Sequence, residues 1–308
     1  MTAPRGPLIA LTGGTGFVGQ AVLEEAGRAG IEVRALARRA MEPMRGVDWV
    51  RGDLDDRAAL ARLMQGAEAV IHVAGVVNTP DVEAFTHGNV HGTLAMLEAA
   101  LATGVPRFVF VSSLSAREPD LSAYGASKAD AERLVKASGL DWTIIRPPTI
   151  YGPRDKDMFE LFRAAKFGVV PVPAGGRASI LHVEDLARLL VALVPGRDQS
   201  TGQVWEPDDG LPEGWAHDDL ARAIGAAMGR RVRAVNLSAG LMRLGATIDG
   251  KLRGDKAKLT PDRVGYMTHP DWVVSDAARV PAEVWEPRVD TRGGLASTAE
   301  WYRREGWL

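Results

Sequence analysis

The sequence predicts an α/β fold: a Rossmann-like doubly wound parallel sheet with a smaller, mostly C-terminal α+β lobe. Three observations carry this prediction. Short apolar runs alternate with helical patterns from residue 8 to residue 145, an order that requires crossover connections and therefore parallel strands. The first apolar run ends in a glycine-rich turn, from which a helical pattern starts. After residue 153 the alternation stops, and turn-rich stretches separate the remaining helices.

Composition limits the partners and the compartment. The chain has 308 residues, enough for a full domain and a second lobe. Its formal net charge of −2 gives no reason to expect nucleic acid or a membrane surface as a partner. The absence of cysteine excludes disulfides, thiolate metal sites and a cysteine nucleophile. No apolar stretch approaches the roughly 18 residues of a membrane span, and the first run is too short for a signal peptide. We therefore expect a cytoplasmic protein with a small-molecule substrate, and a homodimer is left open.

The glycine turn follows a predicted strand at residues 8–12. Gly13 allows a sharp turn, Gly16 allows the main chain to approach a pyrophosphate, and Gly19 allows the next helix to pack closely on the strand. The N-terminus of that helix offers free N–H groups and a partial positive charge to an anion. The turn therefore predicts a dinucleotide site, and an ordinary glycine-rich connector is the alternative.

The second strand, predicted at 31–36, ends where a Rossmann fold selects its cofactor. An acidic residue there would hold the 2′-hydroxyl of NAD. This chain has Arg38 and Arg39 instead, and two guanidiniums suit a 2′-phosphate. NADP(H) is therefore favoured as the cofactor, and NAD(H) is the alternative. The arginine pair would have no role in cofactor selection if it were simply part of a solvated loop.

Four further strands complete the predicted sheet, at 47–50, 69–73, 107–111 and 141–145. Helices are predicted between them, one capped by Asp55 or Asp56 and ending at Met64, the others at 82–103 and 122–138. Right-handed crossovers then place ligands at the carboxyl ends of the strands.

The second lobe is predicted from residue 154 onward. Its elements are a helix at 157–167, a loop at 169–176, a strand and helix over 180–194, a helix near 218–228, a strand near 231–237, and helices near 239–252 and 295–305. The predicted nucleotide-binding domain covers 1–153 plus about 178–196. The predicted substrate lobe covers 154–177 plus about 197–308. Met158, Phe159, Phe162 and Phe167 have the spacing of a buried helix face or of a partly apolar pocket wall.

Tyr124 and Lys128 are the candidate acid–base pair. They are four residues apart, so a helix places them one turn from each other on one face. An ammonium group at that place favours the phenolate and moves the pKa of the phenol toward working pH. Such a tyrosine can exchange a proton with a carbonyl or alcohol oxygen. A surface tyrosine–lysine pair is the alternative.

Ser113 follows the strand at 107–111, so its hydroxyl is expected beside the same substrate oxygen. Ser112 and Ser115 are competing choices. No metal site is predicted, because His87 and His91 are four residues apart on a helix without an evident third ligand.

These motifs together resemble the short-chain dehydrogenase/reductase superfamily, in its extended or closely related atypical branch. They occur in family order over roughly residues 8 to 195. The matching segments are Thr12–Gly19, Gly52-Asp53-Leu54, His72-Val73-Ala74-Gly75, Asn89 with Gly92-Thr93, Ser112-Ser113, Tyr124 with Lys128, Arg146-Pro147-Pro148, Tyr151-Gly152-Pro153 and His182-Val183-Glu184-Asp185.

The resemblance implies further cofactor contacts. It assigns Asp53 and Leu54 to the adenine, Ala74 and Gly75 to the ribose side, Lys128 to the nicotinamide ribose and Pro147 to the nicotinamide ring. It also places the turn residues Thr15, Phe17 and Val18 in the cofactor site. Asn89 would support the active site, and a helix-capping or buried amide is the alternative reading.

The activity that this pattern favours is an NAD(P)-dependent oxidoreductase transferring hydride between the cofactor and a carbonyl/alcohol substrate. The alternatives are an epimerase that holds its cofactor tightly and a non-catalytic NADP(H)-binding protein. Nucleotide-sugar chemistry is less favoured for two reasons. Sugar-nucleotide epimerases of the family usually have a longer, proline-containing segment between the serine and the tyrosine, whereas only residues 114–123 separate Ser113 from Tyr124 here. These enzymes also tend to have an Arg-Asp-Phe-like stretch where this chain has Ser179-Ile180-Leu181.

Overall fold

The computed structural model describes residues 7–308, and the contacts of the chain divide them into two units. The first unit runs to Val77 and adds Asp81–Arg146 and Leu186–Trp205. The second comprises Asn78–Pro80, Pro147–Asp185 and Glu206–Leu308. Among the described residues, none of the helices combines the length and the apolar character needed to cross a bilayer.

The strands and the helices are each numbered in chain order. The strands are β1 (Leu8–Thr12), β2 (Glu32–Ala37), β3 (Val47–Arg51), β4 (Ala69–His72), β5 (Arg107–Val111), β6 (Asp141–Ile145), β7 (Thr149–Tyr151), β8 (Val169–Pro173), β9 (Arg177–Ala178), β10 (Ile180–His182), β11 (Gln203–Trp205), β12 (Trp215–Ala216), β13 (Arg233–Leu237) and β14 (Asp271–Trp272). The helices are α1 (Phe17–Arg28), α2 (Arg57–Met64), α3 (Val82–Phe85), α4 (Gly92–Thr103), α5 (Ala123–Ala137), α6 (Asp157–Ala165), α7 (Val183–Ala192), α8 (His217–Ala227), α9 (Ala239–Arg253), α10 (Pro261–Met267) and α11 (Thr291–Arg304).

The first unit is built on a seven-stranded sheet in the order β11-β6-β5-β4-β1-β2-β3. Every pair in it is parallel. The strand order reverses between β1 and β4, which is the switch point where doubly wound sheets bind ligands. All residues of β4 and β5 are buried, as expected for central strands covered on both faces. The predicted α/β fold is confirmed.

Side-chain caps start two helices of this unit at the predicted places. Asp56, one of the two proposed caps, accepts the Ala59 N–H at 2.9 Å and starts α2. Ser122 accepts the Gly125 N–H at 2.9 Å and starts α5. The helix predicted over 82–103 is interrupted, because a π-helical turn at Thr86–His91 separates α3 from α4.

The second unit contains short strands and the helices α6, α8 and α11 around a separate core. Tyr151, Phe162, Leu295 and Tyr302 are fully buried there. Met158 is buried as predicted, but the interpretation of Phe167 as a core or pocket residue is wrong, since 83% of it is exposed. It lies beyond the C-terminus of α6, where the helical spacing no longer governs its direction.

The segment 169–176 was predicted as a loop, and this is wrong for its first half. Residues Val169–Pro173 form β8, which pairs in parallel with β13. Within residues 7–308 this sheet consists of β8 and β13, so one edge of β8 has no neighbouring strand there. A proline, which lacks an N–H, can lie on such an edge.

The two contact-defined units differ from the predicted domain limits at four segments. Residues 78–80 belong to the second unit, and so do residues 147–153 and 178–185, where β7 pairs with β10. Residues 197–205 belong to the first unit, because β11 extends the main sheet beside β6.

Candidate active site

The glycine turn after β1 has no room for side chains. Gly13 has a φ of 74°, and a Cβ there would lie 2.8 Å from the Ala74 nitrogen. A Cβ on Gly19 would lie 2.0 Å from the Gly13 oxygen. The same oxygen accepts the Gly16 N–H at 2.9 Å. Two of the three glycines are therefore required by backbone packing or backbone conformation at the turn.

The N-terminus of α1 opens onto this turn. Gly16 is the N-cap residue, and it has no side chain to occupy the N–H groups of the first helical turn. Thr15 and Gly16 are exposed, while Phe17 and Val18 are half-buried. The first turn contains no acidic residue. A cradle of main-chain groups at a helix N-terminus fits the pyrophosphate of a dinucleotide.

The residues predicted for the adenosine end lie at one edge of the sheet. Arg38 and Arg39 directly follow β2 and are exposed. Asp53 comes after the adjacent strand β3, and its Oδ1 accepts the N–H groups of Asp55 and Asp56, both at 3.1 Å. Leu54 is half-buried. The structure thus brings these residues to the carboxyl ends of neighbouring strands, and their contacts with a cofactor remain predictions.

Ala74 and Gly75 follow β4 and lie between the glycine turn and α5. The Ala74 N–H donates to the hydroxyl of Thr12 at 3.1 Å. A Cβ on Gly75 would lie 2.8 Å from Asn89 Oδ1 and 3.8 Å from Lys128 Nζ. The close approach of Gly75 connects the predicted ribose side to the predicted acid–base pair.

Asn89 is a buried amide that holds the segment after β4 against α5. Its Oδ1 accepts the Val76 N–H at 2.7 Å, and its Nδ2 donates to the Val76 oxygen and to Ser127 Oγ, both at 2.9 Å. Ser127 in turn donates to the Tyr124 carbonyl at 2.8 Å. Asn89 lies in the π-helical turn, and such turns often occur at functional sites. The amide therefore has a supporting position beside the pair.

Tyr124 and Lys128 lie in α5, one helical turn apart. Tyr124 is half-buried, with its ring centroid 5.9 Å from that of Phe85. Lys128 is only 4% exposed. Its Nζ donates to the Val111 carbonyl at 2.7 Å and lies 4.5 Å from the Phe110 ring centroid. The alternative of a surface pair does not describe this lysine.

Burial lowers the pKa of Lys128 to about 8, and the nearby Glu132 carboxylate partly opposes that shift. The lysine thus changes its charge close to working pH, unlike an exposed lysine. Groups tuned in this way are common in active sites, although ion-pair networks produce them as well.

Glu132, one further turn along α5, is a residue that our sequence analysis missed. It is 1% exposed and accepts hydrogen bonds from Ser112 Oγ at 2.6 Å and from Arg146 Nε and Nη2 at 2.8 and 2.7 Å. Burial raises the pKa of Glu132, but the bonds and charge of Arg146, together with Ser112 and Lys136, hold it below its ordinary value. The available signal was its position four residues after Lys128.

The three candidate serines differ in what their side chains do. The hydroxyl of Ser112 is directed at Glu132. Ser113 is half-buried at the carboxyl end of β5, and its Oγ accepts the Ser115 N–H at 3.2 Å. It caps a 3₁₀ turn at Leu114–Arg117 that packs on α5. Because its Oγ still has a proton to donate, Ser113 suits a substrate oxygen better than Ser112 does, and Ser115 is buried.

His72 joins three segments beneath the site, another role that the sequence did not reveal. Its Nδ1 lies 2.7 Å from Thr12 Oγ1 and its Nε2 lies 3.1 Å from Thr93 Oγ1. Thr93 donates its own proton to the Asn89 carbonyl at 2.6 Å, so it accepts from a protonated Nε2. Burial, followed by the charge of Lys128, lowers the pKa of His72 to about 3. The ring is therefore neutral at working pH.

The remaining residues singled out in the sequence are Pro147 and the histidines His87 and His91. Pro147 is buried and is the first residue of the second unit's segment 147–185. His87 Nε2 lies 3.1 Å from Asp55 Oδ2, and its ring lies edge-on to that of His91 at 6.0 Å. Among residues 7–308, no three or more histidine or acidic side chains are arranged to hold a metal.

Comparison with known proteins gives consistent matches. Residues 9–206 match the NAD dependent epimerase/dehydratase family. The chain is similar to a ceramide reductase of Caulobacter vibrioides, with 37% identity over 100% of this chain and 98% of that protein. It is 28% identical to a UDP-glucose 4-epimerase of Vibrio cholerae over 66% of this chain and 70% of the other. Among solved structures, MoeE5 in complex with UDP-glucose and NAD aligns with a TM-score of 0.73 and 26% identity, over 97% of this chain and 99% of that one.

Proposed function

Because the chain belongs to the NAD-dependent epimerase/dehydratase family of extended short-chain dehydrogenases/reductases, we propose that it is an NADP(H)-dependent reductase of a carbonyl/alcohol pair. The observation that carries the proposal is the buried Lys128, which lies one turn from Tyr124 and is held by the Val111 carbonyl. Burying a cation costs free energy, so the enclosed position of Lys128 beside Tyr124 supports a role in the chemistry.

The cofactor would be held by main chain at one end and by cations at the other. The glycine turn and the N-terminus of α1 suit its pyrophosphate. Arg38 and Arg39 suit a 2′-phosphate, and no acidic residue follows β2 directly. When bound, the nicotinamide supplies or accepts the hydride.

The chain's own residues would manage the proton. In the reductive direction Tyr124 donates its hydroxyl proton to the carbonyl oxygen, and Ser113 hydrogen-bonds that oxygen. The ammonium of Lys128 stabilises the phenolate that remains, by opposite charge. Glu132 keeps negative charge near Lys128 and so favours its protonated form. General acid–base help of this kind is typically worth about 10² to 10⁴ in rate.

The similarity to a ceramide reductase over nearly the full length of both chains supports a proposal for the substrate class. Ceramide is a lipid whose long-chain base carries a secondary alcohol next to an amide-bearing carbon. A reductase of a carbonyl/alcohol pair would make that alcohol from the corresponding ketone, so we assign a long-chain N-acyl amino ketone as substrate. The sugar-nucleotide epimerase similarity covers 66% of the chain at lower identity, so epimerisation is the second candidate.

The test is an assay of the purified chain with NADPH and a ketone of this class, following cofactor consumption and the alcohol product by mass spectrometry. Tyr124→Phe should lower turnover by about 10² to 10⁴ while leaving NADPH affinity nearly unchanged, because the hydroxyl is not needed to grip the cofactor. An enzyme that retains its nicotinamide through purification and shows no net redox change would instead be an epimerase. Wild-type turnover of Tyr124→Phe under chemistry-limited conditions would contradict the assignment.

The cofactor preference has a separate test. Replacing both Arg38 and Arg39 with alanine should weaken NADPH binding far more than NADH binding, since only NADPH carries the 2′-phosphate. Arg57→Ala is the control, because it also removes an exposed arginine. Arg57 pairs with Glu98 at 3.1 Å. Equal losses for both cofactors in a fluorescence titration would refute the assigned preference.

A further inference from the structure

Helix α9 presents an apolar stripe to solvent. Its exposed members are Leu241 (52%), Leu244 (56%), Ile248 (49%) and Leu252 (79%). Their spacing of three, four and four residues puts them on one face of a helix that turns about 100° per residue. Single exposed apolar residues are common on protein surfaces, but four that line one face of a helix require an explanation.

The opposite face of α9 is fixed within the second unit. Met242 and Ala246 are buried against a small core that includes Val264. Asp249 accepts the N–H groups of Lys258 and Leu259 at 2.7 and 2.9 Å. The helix cannot rotate its stripe inward without breaking these contacts, so the stripe is a stable feature of the surface.

A basic residue borders the stripe. Lys251 is exposed and in helical projection lies about 20° from Leu244, whereas the exposed Arg243 lies about 100° from it. Arg253 pairs with Asp249 at 3.1 Å, so the helix keeps a local excess of positive charge. This local pattern is hidden in a chain whose overall net charge is −2, which is why composition predicted no membrane partner.

We propose that α9 docks the enzyme on an anionic lipid bilayer, lying in the plane of the interface with its apolar stripe inserted. An amphipathic helix with leucine-type residues on one face and cations beside them is suited to this position. A second copy of the chain fits less well. Two stripes meeting about a two-fold axis would bring the Lys251 side chains of both copies together, whereas anionic headgroups would pair with this lysine. The proposal rests on the proposed function for its purpose, since a long-chain ketone substrate would reside in the bilayer.

Binding of the full chain to vesicles tests the docking. We expect co-sedimentation with vesicles of phosphatidylcholine and phosphatidylglycerol, weakening as salt is raised. Leu244→Gln combined with Ile248→Gln should reduce binding at least tenfold. Thr247→Gln, an exposed position of the same helix outside the stripe, should leave it unchanged. Lys251→Gln should lower binding to anionic vesicles about fivefold and weaken the preference for them.

Activity measurements separate this proposal from the proposed function. The Leu244/Ile248 variant should keep wild-type turnover on a water-soluble short-chain ketone and lose it on a vesicle-embedded one. Vesicle binding without any reductase activity would overturn the proposed function and leave the docking standing. Equal vesicle binding by wild type and stripe variant would overturn the docking. The docking would also be overturned if the wild type were a dimer, the stripe variant a monomer, and neither protein bound vesicles.

Discussion

Replacing Gly19 with alanine would test whether close packing at the glycine turn creates the cofactor site. A Cβ at this position lies 2.0 Å from the Gly13 oxygen and 2.6 Å from the Gly13 carbonyl carbon. Ordinary contacts are longer than both by roughly 1 Å or more, so either α1 or the turn must move by that order. The neighbouring atoms are backbone, so no side chain can swing aside. The Gly13 oxygen also accepts the Gly16 N–H, so the displacement disturbs the turn itself.

The expected cost has two parts. Overpacking of this kind typically destabilises by about 1 to 3 kcal/mol. The displaced turn should also lose at least one charge-assisted bond to the pyrophosphate, worth about 1.5 to 3 kcal/mol. NADPH affinity should therefore fall at least about tenfold. The thermal midpoint should fall as well, and NADPH should restore less of it than in the wild type.

Gly27→Ala is the matched control, since it is the same substitution in the same helix. Gly27 is exposed, and an added Cβ there meets nothing within 4 Å. Helix propensity alone should then stabilise the chain by about 0.5 to 1 kcal/mol and leave cofactor affinity unchanged. Fluorescence titration with NADPH and thermal unfolding measure both quantities. If Gly19→Ala behaved like Gly27→Ala in the two assays, the steric reasoning would be refuted.

The remaining predictions concern the buried charges near the site. Because the pKa of Lys128 is about 8, reductive turnover at saturating substrate should decline as pH rises through 8, since the cation that supports the phenolate is then lost. Glu132→Gln should move that decline to lower pH, since the Glu132 carboxylate favours the protonated form of Lys128. It should also destabilise the fold by roughly 3 kcal/mol, because it removes a buried charge that accepts two hydrogen bonds from Arg146. A pH–turnover profile with an unmoved basic limb would contradict the first expectation. Folded His72, with a pKa of about 3, stays neutral where the unfolded histidine takes up a proton, so acidification from its ordinary value of 6.5 removes stability. From pH 7 to 5 this one group should cost about 2 kcal/mol in denaturant unfolding, and His72→Gln should flatten the dependence by that amount; equal slopes for both proteins would show that the histidine is not the cause.

Much of the first unit could be predicted because its signals are local. Buried parallel strands appear as continuous apolar runs, and β1 through β6 were all located within a residue or two. The caps at Asp56 and Ser122 and the glycine turn are likewise written in neighbouring residues. The spacing of Tyr124 and Lys128 placed both on one helical face without any knowledge of the tertiary structure.

The strands β8 and β11 were not predicted, because the strands they pair with are distant in sequence. The three residues of β11 are a strand only because β6 lies beside them, and β8 depends on β13, more than 60 residues later. β11 has only three residues, too few to show a periodicity, and the two prolines of β8 indicate a loop rather than a strand.

What the sequence by itself determined is thus the α/β class, the strand–glycine–helix unit at the N-terminus and the identity of the candidate acid–base pair. Only the tertiary structure decided the environment of that pair. Lys128 is buried because α5 packs on β5, whose Val111 carbonyl accepts its hydrogen bond. Glu132 is held in place because Arg146, which follows β6, donates to it. His72 meets Thr12 across 60 residues of sequence. Such contacts depend on which strands become neighbours in the sheet, a property of the whole chain, and the pKa of a group depends on the neighbours and the burial that result.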